Sequence, residues 1–397
     1  MRGWTMIKNM DSKDLSLTSS LAEGSIRRKI TETDDMWSRL DSDIAETILA
    51  RLPVADYFGF QFVSKRERSL ILSPTFRTVS TQLFERRPWF LMLDADSSCD
   101  MVYDTEVEGW RHMKLPIPKD VVTGNSATPV GASGSLMCFK SDNDTATLCN
   151  LLTGLKREIS GFTIDCNTEA VAMHTIETSY DVYIIFRQSS SLALKVFSSV
   201  KNTWTEILLE QTGKSRPTHH VMEWSAVNEL MGVTSIGSSG QVMVHYISSR
   251  GRVVGCDTST RIAFTYPDVP IRENCSLDLV ECRDRILLVT LVCQFVTPRL
   301  VVWEFSHERN KWKRIASLPK VIAKDIPREV IDINCAGHDD YIMVCMKYLN
   351  YNFSPVIRYN ISDDSWVKLA TCSNDRNGTV KRFVSTYAFM PRIDINL

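Results

Sequence analysis

The sequence predicts a multidomain protein in which a small all-α domain precedes a much larger all-β domain. Residues 36–76 show apolar side chains at helical spacing, whereas the chain from Trp89 onward shows short apolar runs separated by Gly, Asn, Asp and Ser. A third observation is a unit that recurs about every 50 residues in the second part. The 397 residues suffice for two or three domains.

The first predicted helix carries four apolar side chains on one face, at Ile44, Ile48, Leu49 and Leu52. Pro53 ends this helix, because proline lacks an amide hydrogen and disfavours a helical residue before it. Two more apolar clusters follow, at 57–63 and at 70–71. Three short helices bury little core, so this domain should need a partner or a neighbouring domain.

Composition limits the classes of partner and the cellular compartment. The formal net charge is −1, so neither a nucleic-acid-binding nor a membrane-binding surface is indicated. The eleven cysteines are an odd number and form no Cys-x-x-Cys pair, which favours reduced thiols in the nucleus or the cytoplasm.

Boundaries follow from changes in sequence texture. Residues 1–35 have no sustained apolar period, which predicts a disordered tail. The helical domain is assigned to residues 36–80, and residues 81–88 form a linker that ends at Arg87-Pro88. The β domain occupies residues 89–392.

Internal repeats decide which all-β fold is predicted. An aromatic residue is followed seven positions later by tryptophan in four places, and two weaker copies lie at Asn150…Arg157 and Asp257…Phe264. The strong copies are Tyr103…Trp110, Phe197…Trp204, Phe305…Trp312 and Tyr359…Trp366. The copies are 47, 47, 60, 48 and 54 residues apart, which matches the period of a kelch-type blade.

The repeats predict a β-propeller of six blades. A four-stranded blade cannot bury both of its faces alone, so blades stack radially, and the tryptophans supply apolar area between them. The first apolar run, Trp89–Leu93, and the last, Phe383–Met390, both need strand partners. We therefore expect the last blade to combine strands from the two ends of the domain.

The helical stretch resembles the F-box family. Its landmarks fall without a gap on Leu40, Asp43-Ile44, Ile48-Leu49, Leu52-Pro53, Val63, Lys65, Leu70-Ile71 and Ser73-Pro74-x-Phe76. The sequence departs from the family at Asp41, where proline is usual, at Ser64, where cysteine is frequent, and at Glu67, where tryptophan is usual. A carboxylate cannot be buried without a partner, so we expect Glu67 to be exposed or paired with a neighbouring arginine.

This resemblance implies docking on a Skp-type adaptor, which joins F-box proteins to a cullin ubiquitin ligase. The adaptor-binding residues implied by the resemblance are Leu40, Ile44, Ile48, Leu49, Leu52, Pro53, Val63 and Lys65. Some of them must instead hold the helices together, and the sequence does not separate the two roles.

The β domain resembles the kelch-like propeller of plant F-box proteins. The likeness lies in Pro88-Trp-Phe-Leu-Met92, Gly131-Ala-Ser-Gly-Ser-Leu-Met-Cys-Phe139, Asn150-Leu-Leu-Thr-Gly154 and Tyr387-Ala-Phe-Met-Pro391. It implies a surface for a protein substrate, but it identifies neither the substrate nor the residues that bind it.

The sequence offers no catalytic, cofactor or metal signature. His219-His220 lies on one segment, where adjacent strand residues point to opposite faces. Cys275, Cys282 and Cys293 lack zinc-site spacing, and Asp339-Asp340 is predicted to be a hairpin turn. We therefore expect no enzyme activity and no cofactor.

The sequence leaves three function classes open. The first is a substrate-recognition subunit of an SCF-type cullin ubiquitin ligase. The second is a small-molecule sensor or enzyme in the propeller channel, and the third is a kelch-propeller scaffold without ligase activity. The F-box, rather than the propeller fold, favours the first.

Overall fold

The structure, a computed structural model, divides into two compact units between residues 84 and 85. It describes residues 37, 39–60, 63–82, 87–94, 101–113, 115, 117–118, 127, 129–141, 144–189, 191–212, 231–248, 251–271, 275–292, 298–326, 330–348, 355–372, 380–381, 383–393 and 397. The predicted tail, His219-His220 and Cys293 lie outside these residues.

The first unit, called the helical unit, contains four short helices. They are α1 (Ser42–Ala50), α2 (Val54–Phe60), α3 (Lys65–Ile71) and α4 (Pro74–Gln82). The sequence predicts three, with the third apolar cluster ending at Ser73-Pro74. Proline instead opens α4, since the first turn of a helix needs no amide hydrogen there. Phe76 is buried on α4, with its ring centroid 5.3 Å from that of Tyr57.

The second unit, called the β unit, consists of strands and one short described helix, α5 (Lys320–Ala323). Its strands are β1 (Trp89–Asp94), β2 (Met101–Asp104), β3 (Gly109–His112), β4 (Pro129–Ser133), β5 (Leu136–Lys140), β6 (Thr145–Asn150), β7 (Lys156–Ser160), β8 (Thr168–Ile176), β9 (Ser179–Gln188), β10 (Ser191–Ser198), β11 (Thr203–Thr212), β12 (Val233–Ile236), β13 (Val242–Ile247), β14 (Val253–Asp257), β15 (Ile262–Thr265), β16 (Cys275–Cys282), β17 (Arg285–Val292), β18 (Arg299–Ser306), β19 (Lys311–Ser317), β20 (Val330–His338), β21 (Tyr341–Tyr348), β22 (Val356–Asn360), β23 (Ser365–Lys368) and β24 (Phe383–Phe389).

These strands form several four-stranded antiparallel sheets. Four sheets have the orders β24-β1-β2-β3, β4-β5-β6-β7, β16-β17-β18-β19 and β20-β21-β22-β23. A fifth sheet has eight strands, because β8–β11 and β12–β15 are joined by a parallel pairing of β11 with β15.

Strands in the middle of the sheets are apolar on both faces. On β21, Ile342 and Val344 pack into one hydrophobic cluster, whereas Met343 and Cys345 pack into another. Side chains alternate between the two faces of a strand, so an unbroken apolar run means that both faces are covered.

Successive sheets pack face to face in a cycle. Hydrophobic clusters lie between the β4–β7 and β8–β11 groups, between β8–β11 and β12–β15, between β12–β15 and β16–β19, between β16–β19 and β20–β23, and between β20–β23 and the sheet of β24. The first strands of neighbouring groups are in contact, and β24 contacts β4. This cyclic order is propeller-like.

One sheet joins the two ends of the β unit, which confirms the predicted closure. Strand β1 pairs antiparallel with β24, and Trp89 lies opposite Phe389. The two rings meet edge to face with centroids 5.9 Å apart. The amide of Met390, just after β24, donates to the carbonyl of Gly134 in the next sheet at 2.7 Å.

The repeated aromatic–tryptophan unit is the outer hairpin of each sheet. All four strong copies are directly paired residues: Tyr103 with Trp110, Phe197 with Trp204, Phe305 with Trp312 and Tyr359 with Trp366. The residue two positions before each tryptophan has a positive φ, at Glu108, Asn202, Asn310 and Asp364. The residue with the left-handed backbone conformation closes the hairpin turn. The seven-residue spacing therefore reflects the geometry of the turn as well as the packing of the aromatic rings.

The two weaker copies were placed one residue too late in the sequence. The equivalent pairs are Cys149 with Lys156 and Cys256 with Ala263. Cysteine replaces the first aromatic residue in both copies, and lysine or alanine replaces the tryptophan, so the aromatic spacing alone could not fix the register.

The tryptophans link neighbouring sheets, as predicted. The indole Nε1–H groups of Trp110, Trp204 and Trp312 donate to the carbonyls of Ala370, Ser160 and Pro267, each at 2.8 Å. Each acceptor lies at or just after the end of the outermost strand of the preceding sheet. A buried indole needs such an acceptor, so each ring is fixed in position as well as packed.

Removal of β24 should destabilise the whole β unit. Deleting residues 383–397 exposes the edge of β1 and removes buried Phe383, Tyr387 and Phe389, so we expect loss of a cooperative thermal transition. Deleting only residues 391–397 keeps β24 and should lower the melting temperature without abolishing cooperativity. Calorimetry on both truncated chains distinguishes these results, and equal behaviour of the two would contradict closure through β24.

Candidate functional site

The helical unit has its own small core. It is formed by Ala45, Leu49, Ala50, Val54, Tyr57, Leu70, Ile71 and Phe76, all buried. The hydroxyl of Tyr57 donates to the carbonyl of Ala50 at 3.0 Å, which joins α2 to the end of α1. This core fixes which side of each helix is free to meet another molecule.

The sequence-predicted site residues separate into two groups. Ile44, Ile48 and Val63 are between 43% and 68% exposed, although they are large and apolar. Pro53 and Lys65 are also exposed, and Leu40 and Leu52 are partly buried. Exposed apolar side chains on a small unit indicate a surface that another protein covers.

Leu49 belongs to the core rather than to this surface. Its side chain is 1% exposed, whereas that of the preceding residue, Ile48, points outward. Helix α1 is therefore apolar on two sides, and only the structure shows which residue serves which side.

Glu67 is buried rather than exposed. The charge of the neighbouring Arg66 acts on its carboxylate, in line with the expected arginine, but its side-chain hydrogen bonds come from other residues. Its carboxylate accepts a hydrogen bond from Trp37 Nε1 at 2.6 Å and another from the Ser64 hydroxyl. Burial alone would raise the pKa of Glu67. The two side-chain hydrogen bonds, a third hydrogen bond from the Glu67 amide and the charge of Arg66 outweigh burial and hold that pKa below its ordinary value.

Arg66 fixes the segment that precedes α1. Its guanidinium donates to the carbonyl oxygens of Trp37 and Leu40, both at 2.6 Å. Together with the Trp37–Glu67 hydrogen bond, these contacts hold Trp37 and Leu40 against α3. The backbone at Leu40, one of the predicted site residues, is positioned in this way.

A second buried carboxylate, Glu46, was missed by sequence reasoning. It accepts hydrogen bonds from Ser73 Oγ at 2.7 Å and from Thr75 Oγ1 at 2.9 Å. The contacts join α1 to the start of α4. The only signal in the sequence was two hydroxyl residues flanking Pro74, a pattern too common to predict a distant partner.

A buried group among the described residues of the β unit combines a possible nucleophile with a base. His245 Nε2 is 2.9 Å from Ser235 Oγ, and its Nδ1 is 3.1 Å from the Tyr266 hydroxyl. All three side chains are buried, and the hydrogen bonds satisfy both ring nitrogens. A buried group without access to substrate is structural, so we assign no catalysis to it.

The described ranges contain neither a candidate metal cluster nor a helix able to span a membrane. There, no three His, Cys, Asp or Glu side chains are arranged to hold a metal ion. None of the described helices has the length and apolar character needed to cross a membrane. Asp339 and Asp340 form the turn between β20 and β21, as predicted.

The Trp37–Glu67 contact should matter for the stability of the helical unit. Glu67→Ala leaves the indole N–H without its acceptor, and we expect a loss of about 1–2 kcal/mol. Trp37→Phe should cost a similar amount, and the double variant little more than either. Hydrogen exchange of the α3 amides in the full chain measures this.

The matched control is Arg68→Ala, an exposed change on the same helix. Glu67→Trp should also increase exchange, because the ring cannot replace the two hydrogen bonds. Additive effects of Trp37→Phe and Glu67→Ala, or slower exchange in Glu67→Trp, would contradict the assigned contact.

His245 should make the β unit sensitive to acid. Burial lowers the pKa of His245 to about 3. In the unfolded chain the pKa is about 6.5, so the unfolded state binds the proton first and stability is lost as pH falls below that value. Burial raises the pKa of Asp278 to about 7, which acts in the opposite direction.

A comparison of the wild type with His245→Asn separates the effect of His245 on stability from the effect of the carboxylates. His245→Asn should lower the melting temperature most at pH 7, and this deficit relative to the wild type should shrink toward pH 4.5. Only the wild type loses stability over this range by keeping an imidazole neutral in the folded state. A deficit that stays constant or grows as pH falls would show that His245 is not held neutral.

The helical unit and the full chain both have recognisable relatives. The F-box domain family matches residues 37–78. F-box only protein 13 of Arabidopsis thaliana is 28% identical, over 89% of this chain and 84% of its own length. F-box only protein 6 of the same species is 22% identical, over 86% and 71%.

An F-box/kelch-repeat protein of Arabidopsis thaliana is 22% identical, over 92% of this chain and 91% of its own. The solved structure of YjhT covers 67% of this chain and 95% of its own at 10% identity, with a TM-score of 0.39. That score is too low to support an argument about function. The chain therefore contains an F-box domain near its N-terminus, and its homologues are plant F-box and F-box/kelch-repeat proteins.

Proposed function

We propose that this protein is a substrate-recognition subunit of an SCF-type cullin ubiquitin ligase. The helical unit docks on a Skp-type adaptor, and the β unit binds a protein target. The observation that supports this most directly is the F-box match at residues 37–78, on a unit whose Ile44, Ile48 and Val63 are exposed.

The docking surface in this proposal consists of the exposed or partly exposed members of the predicted set. These are Leu40, Ile44, Ile48, Leu52, Pro53, Val63 and Lys65. Burying a few large apolar side chains provides most of the affinity of such an interface, and the lysine lies at its polar rim. Leu49 supports the surface from below.

The β unit acts in this proposal as a closed six-bladed propeller. The eight-stranded sheet counts as two blades, and the cyclic packing with the β1–β24 pairing supports closure. We propose that a linker at residues 81–88 separates the two units, and the division between residues 84 and 85 supports this boundary.

No chemistry is assigned to this chain in the proposal. It acts by holding a target near a conjugating enzyme elsewhere in the complex, which raises the effective concentration of target lysines. It needs no cofactor for that role. We propose the nucleus or the cytoplasm as its location, consistent with the free cysteines among the described residues.

Neighbouring residues of α1 provide a sharp test of adaptor docking. Ile48→Ala should reduce the amount of Skp-type adaptor that co-purifies with the full chain, while leaving helix exchange rates unchanged, because Ile48 contacts solvent. Leu49→Ala creates a core cavity and should destabilise the helical unit by about 2–4 kcal/mol.

The matched control is Leu208→Ala, which truncates another exposed large apolar side chain, located on β11. It should change neither adaptor recovery nor the helical unit. Full adaptor recovery with Ile48→Ala combined with Ile44→Ala would contradict the proposed surface. Absence of adaptor and cullin from wild-type preparations would favour a scaffold without ligase activity.

A further inference from the structure

One end of the β unit is built from short hairpin turns that are all described. In a four-stranded antiparallel sheet, the first-to-second and third-to-fourth connections lie at the same end. We call this end the hairpin face. Its turns are residues 105–108, 134–135, 151–155, 177–178, 199–202, 237–241, 258–261, 283–284, 307–310, 339–340 and 361–364.

Contacts between neighbouring sheets show that these turns share one end of the β unit. The amide of Ile236, at the end of β12, donates to Asp284 Oδ1 in the next sheet at 3.3 Å. Arg283 pairs with Asp340 of the following sheet at 2.5 Å. The turns of these three successive strand groups are therefore neighbours on the hairpin face.

This surface is strongly acidic in a chain that is almost neutral. Its turns contain nine carboxylates and four basic side chains, a net charge of −5, against −1 for the whole chain. The carboxylates are Glu106, Glu108, Glu177, Asp284, Glu308, Asp339, Asp340, Asp363 and Asp364, and the basic residues are Lys201, Arg261, Arg283 and Arg309. Glu108 is neutralised by Arg358 at 2.7 Å, which leaves the surface negative.

The same surface exposes large apolar side chains. Val107, Leu155, Ile176 and Val200 are between 41% and 78% exposed, and all four lie in hairpin turns or at the strand end beside one. They belong to three consecutive sheets. Val107 lies between Glu106 and Glu108, so the apolar sector adjoins an acidic sector formed by this turn and by the Asp363–Asp364 turn of the preceding sheet.

The charge decides which partner such a surface fits. A second copy of the same face would meet it with like charge, which disfavours self-association through this surface. Phosphate groups of nucleic acid and anionic lipid headgroups are repelled for the same reason. What remains is a cationic partner that also brings apolar side chains to cover the exposed valines, isoleucine and leucine.

We propose that the hairpin face is a docking surface for a Lys/Arg-rich protein segment that carries interspersed apolar residues. The inference deepens the proposed function, and rests on it only in taking that segment to belong to the ligase target. Basic side chains pair with the acidic turns of the β20–β23 and β24–β3 sheets. Apolar residues cover the sector from Val107 to Val200.

The test uses the purified full-length chain to select binders from a library of displayed random peptides. We expect enrichment of peptides that combine Lys or Arg with Leu, Ile or Val. The hairpin-face variant is Glu106→Gln, Val107→Ser, Val200→Ser and Asp363→Asn. Asparagine at 363 can still accept the turn hydrogen bond from the Ser365 amide.

The control variant likewise makes two carboxylate-to-amide and two apolar-to-serine changes, all away from the hairpin face. It is Asp165→Asn, Leu208→Ser, Val321→Ser and Asp325→Asn. Val321 on α5 is 78% exposed, as is Val200, and Asp165 also accepts hydrogen bonds within a turn. Equal melting temperatures of the two variants would show that differences in binding do not come from unfolding.

The affinity of the tightest-binding selected peptide for each chain is then measured by fluorescence anisotropy. We expect its dissociation constant to rise at least about fivefold in the hairpin-face variant and to stay within about twofold in the control. Higher salt should weaken wild-type binding. Failure to enrich basic peptides, enrichment of acidic ones, or equal loss in both variants would overturn the inference.

Adaptor recovery is measured on the same three chains. Both variants should retain as much adaptor as the wild type, because neither changes the helical unit. If no chain binds adaptor but peptide binding follows the expected pattern, the ligase proposal fails and the docking surface stands. If all chains bind adaptor but the peptide results are negative, only the docking surface is refuted.

Discussion

Each four-stranded sheet of the β unit has two apolar faces, and neither can be buried within the sheet itself. The rest of the unit follows from this constraint. Strands such as β21 are apolar without interruption because both of their faces meet a neighbouring sheet. Successive sheets must continue until the last meets the first, and the pairing of β1 with β24 completes the series.

The helical unit meets a different demand, because it is too small to rely on apolar packing alone. It uses two buried carboxylates, each of which accepts a hydrogen bond from a residue distant in sequence. Glu67 joins residue 37 to α3, and Glu46 joins α1 to the start of α4. With the helices joined in this way, Ile44 and Ile48 can remain outside the core and exposed.

Much of the fold could be predicted from sequence, because it depends on local patterns. The helical spacing, the strand texture and each of the four aromatic–tryptophan copies involve residues that are only a few positions apart in sequence. The same dependence explains the errors. Cys149 and Cys256 occupy the position of the aromatic residue, so the register of those two hairpins was visible only in the strand pairing.

The candidate site was less predictable, because its properties depend on residues far apart in sequence. Glu67 differs from the usual family residue, and its donor Trp37 lies thirty residues earlier. No local pattern links the two. Likewise, Ile48 and Leu49 are adjacent and similar in chemistry, and only the position of α4 and α3 around α1 decides which of them is buried.

The pairing of the two ends of the β unit also governs when it can fold during synthesis. Strand β1 is complete at Asp94, whereas β24 begins at Phe383, about 290 residues later. At a synthesis rate of roughly 5–20 residues per second, one edge of β1 stays unpaired for on the order of 15–60 seconds. The apolar strand Trp-Phe-Leu-Met-Leu is thus exposed to other nascent chains for that interval, which makes this segment the natural client site for a chaperone.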